Sequence, residues 1–178
     1  MKHFIGINRL RTRGTIPMVM VALFLQIIVP GLSFGAASHE GVYATEESRV
    51  DFTSIQGKEW ILLEVRSPGK TINMDRGKLE TANMGGFYTI SFNGNQANGQ
   101  GAPNRYFAPY NTGPNQSLNI SNIASTMMLS LVEPDGLKES DFFGFLNRVV
   151  RWSMRSGKLE LYCTTGMGAE AILVFSAR

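Results

Sequence analysis

The sequence predicts a mainly β domain in which one main helix covers an antiparallel sheet, folded as a curved sheet or a small barrel. Three alternating apolar and polar runs at the end of the chain are typical of half-buried strands. Upstream, several short apolar runs end at turn residues, and one segment after residue 136 has helical periodicity instead. Short strands, an inserted helix and a final meander together favour this fold class.

Residues 1–37 have the organisation of a secretory signal peptide. Four basic residues come first, an uncharged apolar run follows at residues 16–29, and small residues end the segment. The run is shorter than the ~20 residues that span a bilayer, so we expect cleavage and no stable membrane span in the mature form. An uncleaved anchor is the alternative. Residues 38–55 are polar and aperiodic, which predicts a partly flexible lead-in to a domain over residues 56–178.

Charge excludes nucleic acid as a partner. Four of the 17 basic residues and none of the 14 acidic residues lie in the predicted signal peptide, which leaves 13 basic and 14 acidic residues. Binding to phosphates needs clustered lysine and arginine, and this balance does not supply it. We expect the mature protein to be a monomer in an extracytoplasmic space, either periplasmic or secreted.

Short strands are predicted in the first half of the domain because apolar runs there end at turn residues. Structure is expected to start at Glu59. The predicted strands, in chain order, span residues 60–65, 70–75, 88–92, 96–101 and 118–120.

The stretch from residue 94 to residue 126 is rich in asparagine, glycine, proline and serine, which favour turns. Three aromatic residues, Tyr106, Phe107 and Tyr110, lie in its middle. A long aromatic connection inside one domain is either a binding loop or a structural element of the family. We interpret it mainly as turns that return these rings to a β core.

Helical structure is predicted twice after this stretch. Residues 123–131 are expected to form one or two helical turns. Residues 137–149 are predicted to form the main helix, because Phe142, Phe145 and Leu146 share one face while charged residues occupy the other.

A two-residue turn at Ser156-Gly157 fixes the register of the final meander. The predicted apolar pairs of its first hairpin are Met154–Leu159, Trp152–Leu161 and Val150–Cys163. The predicted pairs on the other face are Arg155–Lys158, Ser153–Glu160 and Arg151–Tyr162. A third strand continues the apolar face with the pairs Ala171–Cys163, Leu173–Leu161 and Phe175–Leu159. Its other side carries Ile172 and Val174, so we expect that side to be covered.

The residues do not assemble a catalytic, cofactor or metal site. The mature chain has one histidine, His39, close to its start, where a base is poorly oriented. Its one cysteine, Cys163, is interpreted as a small buried hydrophobe. We interpret the acidic cluster as a turn followed by favourable charge at a helix N-terminus, with a paired acid and base as the alternative. The cluster comprises Glu133, Asp135, Glu139 and Asp141.

A set of short motifs resembles the META/HslJ-like domain over residues 55–175. In chain order they are Trp60-x-Leu62, Phe92-x-Gly94, Gly99-x-Gly101-Ala102-Pro103-Asn104-x-Tyr106, Tyr110, Leu118-x-Ile120, Thr126-Met127-Met128, Leu159-x-Leu161 and Leu173-x-Phe175. The resemblance implies a calycin-like β-barrel with a helix, found in bacterial envelope proteins. Such proteins are linked to heat shock and novobiocin resistance, without established catalytic residues.

The chain departs from the family pattern at two places. Members typically have Gly-Cys-Asn where this chain has Ala102-Pro103-Asn104, and many have a second cysteine where this chain has Leu129-Ser130. Roles assigned to those cysteines therefore do not carry over. Asn104 does match, and the resemblance favours a structural turn residue there over a ligand contact.

The expected function is that of an exported, non-catalytic protein that binds another envelope protein or supports envelope stress tolerance. The candidate interaction residues are Asn104, Arg105, Tyr106 and Tyr110. The alternative is a carrier that holds a small apolar ligand inside the barrel, as other calycin-like barrels do.

Overall fold

The computed structural model describes residues 50–178, so the predicted signal peptide, most of the predicted lead-in and His39 lie outside the described residues. Its strands are β1 (Glu59–Ser67), β2 (Lys70–Asn73), β3 (Thr89–Asn93), β4 (Gln96–Gln100), β5 (Arg105–Gly113), β6 (Ser117–Ile120), β7 (Ala124–Ser125), β8 (Val149–Arg155), β9 (Lys158–Thr164) and β10 (Glu170–Ala177). Its α-helices are α1 (Arg76–Thr81) and α2 (Glu139–Leu146).

Eight of the strands form a closed antiparallel barrel, which confirms the predicted fold class. The order around the ring is β10-β9-β8-β6-β5-β4-β3-β1, and β1 pairs with β10 to close it. Strands β2 and β7 lie off this ring, on β1 and β5 respectively. Closure satisfies the backbone groups that an open sheet would leave at its edges.

The stretch from residue 94 to residue 126 is mostly strand, so its interpretation as a turn-rich connection was wrong. Strand β5 alternates strictly: Tyr106, Ala108 and Tyr110 are buried, while the residues between them are exposed. The asparagines, glycines and prolines that suggested loops lie on the outward positions and in the tight turns. The rings of Tyr106 and Tyr110 do return to the β core, as predicted, but the same prediction was wrong for Phe107, which is exposed.

The final meander has the predicted register except at one pair. The pairs of Met154 with Leu159 and of Trp152 with Leu161 are present, as are all three predicted between β9 and β10. The predicted pair of Val150 with Cys163 is wrong, because a bulge in β8 places Val149 opposite Cys163. A bulge shifts alternation by one residue, and Val150 therefore points outward and is half-exposed.

Three further predictions differ from the structure. Residues 123–131 form β7 and a segment without regular secondary structure rather than helical turns. The main helix is α2 alone, and Val149 belongs to β8. Helix α1 was not predicted, because its six residues contain a single buried side chain and so lack visible periodicity.

The two ends of the barrel are closed by different parts of the chain. At one end, Phe142 of α2 packs edge-on against Tyr88, with ring centroids 5.2 Å apart. At the other, residues 52–55 form a 3₁₀ turn in which Ile55 is fully buried and the Phe52 ring contacts three others. Those rings belong to Phe92, Tyr110 and Trp152. The last residues of the predicted lead-in thus belong to the packed domain.

Side chains from all the barrel strands fill the interior between these ends. Val174, which the sequence places on the outer side, is also buried, while Ile172 is partly exposed. None of the helices within residues 50–178 combines the length and apolar character needed to cross a bilayer.

Candidate functional site

Residues 101–104, between β4 and β5, form a tight turn that is held by a carboxylate from α2; we call it the Asn104 turn. The Glu139 Oε1 atom accepts hydrogen bonds from the backbone N–H of Ala102 and of Asn104, at 2.6 and 2.7 Å. Its Oε2 atom accepts one from Asn104 Nδ2 at 2.6 Å. One side chain thus fixes the turn to the start of the helix, where a negative charge is favourable.

The Asn104 side chain in turn holds the segment that follows β7. Its Oδ1 atom accepts hydrogen bonds from Thr126 Oγ1 at 2.8 Å and from the Met128 N–H at 2.7 Å. Its Nδ2 atom also donates to the Met128 carbonyl at 3.0 Å. The side chain is buried and its amide is fully used within the fold. Asn104 is therefore a structural residue, as the family resemblance implied.

Tyr106 and Tyr110, two of the predicted interaction residues, are also buried and bonded within the fold. The Tyr106 hydroxyl donates to the Thr89 carbonyl at 2.8 Å, and burial raises the pKa of this phenol well above its usual value. The Tyr110 hydroxyl donates to the Gly94 carbonyl at 2.6 Å and accepts from Gln56 Nε2 at 2.8 Å. Among the four predicted residues, Arg105 is the exposed one.

An exposed apolar segment lies directly beside these residues. Residues 126–132, here named the apolar strip, contain Met127 at 99% exposure, Leu129 at 79% and Leu131 at 83%. Met128 and Val132 in the strip, and Phe107 on neighbouring β5, are also exposed. Single exposed apolar residues are ordinary, but a contiguous group of this kind marks interaction surfaces.

One edge of the apolar strip is tied to the barrel at alternate residues. The Thr126 N–H donates to the Arg105 carbonyl, Met128 is bound by Asn104, and Ser130 Oγ donates to the Ala102 carbonyl at 2.6 Å. Within residues 50–178, the backbone groups of Met127 and Leu129 have no hydrogen-bond partner. The strip is therefore an irregular segment after β7 that carries exposed apolar side chains and has part of its backbone unpaired within the described residues.

The sequence did not identify the strip, although it contained a signal. Met127, Leu129 and Leu131 recur at every second position, which is the period of a strand, although Met128 and Val132 are apolar as well. Helical turns were predicted because the run is short and apolar, and such runs are ambiguous.

Cys163 and Asp135 have structural roles. Cys163 is buried, its Sγ lies 3.4 Å from the Ala171 carbonyl oxygen, and burial raises the pKa of the thiol to about 11. Asp135 Oδ2 accepts from the Asp75 N–H at 2.9 Å, which ties the turn at residues 134–136 to the start of α1. In the described part of the chain, no three His, Cys, Asp or Glu side chains come close enough to hold a metal ion.

A second polar cluster, not predicted from the sequence, lies on the outer face of β8 and β9. The buried Glu160 carboxylate accepts a hydrogen bond from the Tyr162 hydroxyl at 2.5 Å and pairs with Arg66 at 3.3 Å and Arg155 at 3.6 Å. Arg151 stacks over the Tyr162 ring at 3.5 Å. The charge of this carboxylate is therefore compensated by its own neighbours.

A surface cleft of about 490 Å³ lies beside Phe52, where residues 52–56, the turn at Gly94 and the middle of β5 meet. Its lining is mostly polar and includes Gln56, Asn95 and Asn111. An apolar ligand would find little matching surface there.

Comparison with solved structures shows the same fold in a distant protein. A protein from Burkholderia xenovorans, solved by NMR, is 17% identical, with a TM-score of 0.53 over 71% of this chain and 85% of that one. A duf4847 family protein from Bacteroides vulgatus is 14% identical, with a TM-score of 0.46 over 68% of this chain and 93% of that one. No curated protein matches the chain.

Comparison with protein families gives a match to the META domain over residues 53–176. The match includes the Asn104 turn, the apolar strip and every strand of the barrel. This chain therefore belongs to the META domain family.

Proposed function

We propose that this protein is an exported, non-catalytic META domain protein that acts in the cell envelope by binding another protein through its apolar strip. The observation that carries the proposal is the exposure of the neighbouring apolar side chains Met127, Leu129 and Leu131 on one segment. A contiguous exposed apolar group of this kind marks a protein interaction surface. Burial of these apolar side chains against a partner would contribute favourable free energy to binding.

The composition of the strip suits protein recognition. Met127 and Met128 are unbranched and polarizable, so they adapt to partners of varied shape. Arg105 is exposed beside Thr126, at one end of the strip, and can supply a charged rim contact. Of the residues predicted to interact, Arg105 alone keeps that role, while Asn104 holds the strip in place.

Export and an envelope location are supported by the N-terminal sequence. Residues 1–37 have a basic start, an apolar run and a small-residue end. The resemblance to envelope proteins linked to stress tolerance points the same way. Loss of tolerance to envelope stress is therefore the physiological effect we expect when the gene is deleted.

A non-catalytic role is supported by how the titratable groups are used. The Glu139 carboxylate binds three N–H donors, and the Glu160 carboxylate is paired with Arg66 and Arg155. The thiol of Cys163 is buried with a raised pKa, which disfavours the reactive thiolate.

The alternative of an apolar ligand held inside the barrel has less support. Trp60, Leu62, Phe92, Leu173 and Phe175 are each at most 1% exposed and pack in the interior. Carriers of this kind keep an apolar cavity with an open mouth, and the cleft beside Phe52 is mostly polar instead.

Photo-crosslinking in cells tests the proposal. A photoreactive residue replaces Met127 in one variant and Met167 in another; both positions are almost fully exposed, but Met167 lies outside the strip. We expect a discrete cross-linked protein from position 127 and none from position 167. Equal products from both positions, or none from position 127, would overturn the proposal.

Complementation of a deletion strain gives a second readout. The triple variant Met127→Ser/Leu129→Ser/Leu131→Ser should fail to restore tolerance to envelope stress, while Met167→Ser should restore it. Full restoration by the triple variant, expressed at the wild-type level, would contradict a role for the strip.

A further inference from the structure

Three methionines are exposed within residues 50–178, and two of them are adjacent in the apolar strip. Met127 is almost fully exposed and Met128 is 55% exposed, while Met167, also almost fully exposed, lies outside the strip. The other methionines of the described residues are buried or partly buried, and Met74 is the most protected of them. Two of the three exposed thioethers therefore lie on the surface proposed to bind a partner.

Other side chains that oxidants attack are protected in the same part of the chain. The one cysteine, Cys163, is buried, and burial raises the pKa of its thiol to about 11, so little reactive thiolate forms. The two tryptophans, Trp60 and Trp152, are at most 3% exposed. An oxidant that reaches residues 50–178 therefore meets the exposed methionine thioethers first.

We propose that Met127 and Met128 are a methionine oxidation site that regulates the apolar strip: their oxidation to sulfoxides releases the bound partner, and reduction restores binding. This inference rests on the proposed function, because it names the regulation of the same surface. Export, which is part of that function, brings the strip into an oxidising compartment.

The chemistry needs an oxidant of the peroxide class. The thioether sulfur attacks one oxygen of hydrogen peroxide, so a sulfur–oxygen bond forms and the oxygen–oxygen bond breaks. The sulfur loses two electrons and becomes a sulfoxide, while the peroxide is reduced to water. In the reverse step a dithiol-dependent reductase removes the oxygen as water, and its dithiol is oxidised to a disulfide.

Oxidation changes the property on which binding depends. A thioether is apolar and gains free energy when it is buried against a partner, whereas a sulfoxide has a polar oxygen that loses its hydration there. Met127 and Met128 are consecutive, so both changes fall on the same short surface. We expect double oxidation to weaken partner binding at least about tenfold.

The same oxidation should leave the barrel intact. Asn104 holds Met128 through the backbone N–H and carbonyl, at 2.7 and 3.0 Å, and not through the thioether. The Met127 side chain is almost fully exposed, so its oxidation removes no packing. The Tm of the oxidised protein should stay within about 3 °C of the untreated protein. A larger fall would show that oxidation acts on the fold, and it would contradict the proposal.

Peptide mass spectrometry tests the site itself. The full-length gene product, purified from the envelope, is treated with hydrogen peroxide for increasing times. Met127, Met128 and Met167 should be oxidised while Met74 is still a thioether. Protection of either strip methionine under conditions that oxidise Met167 would overturn the proposal.

Cross-linking with the oxidised protein tests the regulation. A photoreactive residue replaces Leu131 in the strip, and the purified protein is oxidised, freed of peroxide and added to envelopes of the deletion strain. Protein with sulfoxides at Met127 and Met128 should give at least about tenfold less cross-linked product than untreated protein. An undiminished yield would overturn the proposal.

Two variants show whether these two sulfur atoms are responsible. Met127→Leu/Met128→Leu keeps an apolar surface without a thioether, so its cross-linking should be the same before and after peroxide. Met167→Leu is the matched control and should lose cross-linking after peroxide, as the parent protein does. Loss of cross-linking in the double variant would place the sensitive group elsewhere and contradict the proposal.

Reduction of the oxidised protein tests reversibility. Methionine sulfoxide reductases that act on the two sulfoxide epimers should restore both thioethers and the cross-linking yield together. Thioethers regained without cross-linking would show irreversible damage instead of regulation.

Failure of this inference is distinguishable from failure of the proposed function. If untreated and doubly oxidised protein cross-link equally from position 131, the regulation is wrong and the function stands. If untreated protein gives no cross-linked product, the proposed function is wrong, and the regulation that rests on it is wrong as well.

Discussion

The Asn104 turn and the apolar strip lie side by side and are opposite in character. In the turn, a polar residue is buried and every polar atom of its side chain is bonded. In the strip, apolar side chains face solvent and the backbone of Met127 and Leu129 is unpaired within the described residues. The comparison separates two roles: the motif typical of the family maintains the architecture, while its neighbour offers a surface.

The two regions are also coupled, because the turn holds one side of the strip against the barrel. Asn104 binds Met128 through both a donor and an acceptor, as a neighbouring strand would. Variants in the turn should therefore mainly lower stability, and variants in the strip should mainly lower binding. Four variants test this comparison.

The largest effect on stability is expected from Asn104→Ala. The substitution removes the Asn104 side-chain partners of the Met128 backbone and of Glu139 Oε2, while Glu139 Oε1 keeps its two backbone donors, and we expect a loss of about 3 kcal/mol in the free energy of unfolding. Urea denaturation measures it. Arg105→Ala, at the exposed neighbouring residue, should change the same quantity by less than about 0.5 kcal/mol. Similar values for the two variants would remove the distinction between the turn and its surroundings.

Gly101→Ala should lower the free energy of unfolding by less, about 2 kcal/mol, because the added methyl group overpacks the site. A Cβ atom at this position would lie 2.5 Å from Glu139 Oε1 and 2.8 Å from Phe143 Cζ, so the carboxylate must leave the turn. Thermal and urea unfolding measure the loss. Gly166→Ala is the matched control, since its Cβ would meet no atom within 4 Å. A neutral Gly101→Ala would show that Glu139 does not hold the turn.

Thr126→Val tests the bond between the two regions and should destabilise the protein by about 1 kcal/mol. Its hydroxyl donates to Asn104 Oδ1 at 2.8 Å and accepts from the Arg105 N–H at 3.2 Å, while valine keeps the shape of the side chain. Hydrogen exchange of the Met128 amide should rise together with this loss. Thr112→Val, at an exposed position of β5, is the control and should affect neither measurement.

The smallest effect on stability is expected from Leu129→Ser, within about 0.5 kcal/mol of the wild type, because the side chain is exposed. Truncation of a buried leucine in the variant Leu118→Ala should lower the free energy of unfolding by about 2–5 kcal/mol. The effects on binding should have the reverse order: Leu129→Ser should abolish cross-linking from position 127, and Leu118→Ala should affect it less. A large loss of stability in Leu129→Ser would mean that the strip serves the fold rather than a partner.

Prediction from sequence succeeded where the contacts were local and regular. The register of the final meander followed from a two-residue turn and strict alternation, and the exception, Val150, comes from a bulge that the residue pattern does not reveal. Strand β5 was missed because its outward positions carry asparagine and proline, which resemble loop residues when read alone. Residues 52–55 appeared aperiodic because their burial depends on rings from three distant strands.

The sequence by itself determined the mainly β class, most of the pairing in the final meander and the resemblance to the family, because each depends on periodicity or motif order along the chain. Only the tertiary structure decided which conspicuous residues are buried and which are available. Asn104, Tyr106 and Tyr110 were candidate interaction residues, but in the closed barrel they are buried, while Met127, Leu129 and Leu131 are exposed. Burial depends on neighbours brought together by closure, and no local pattern specifies it.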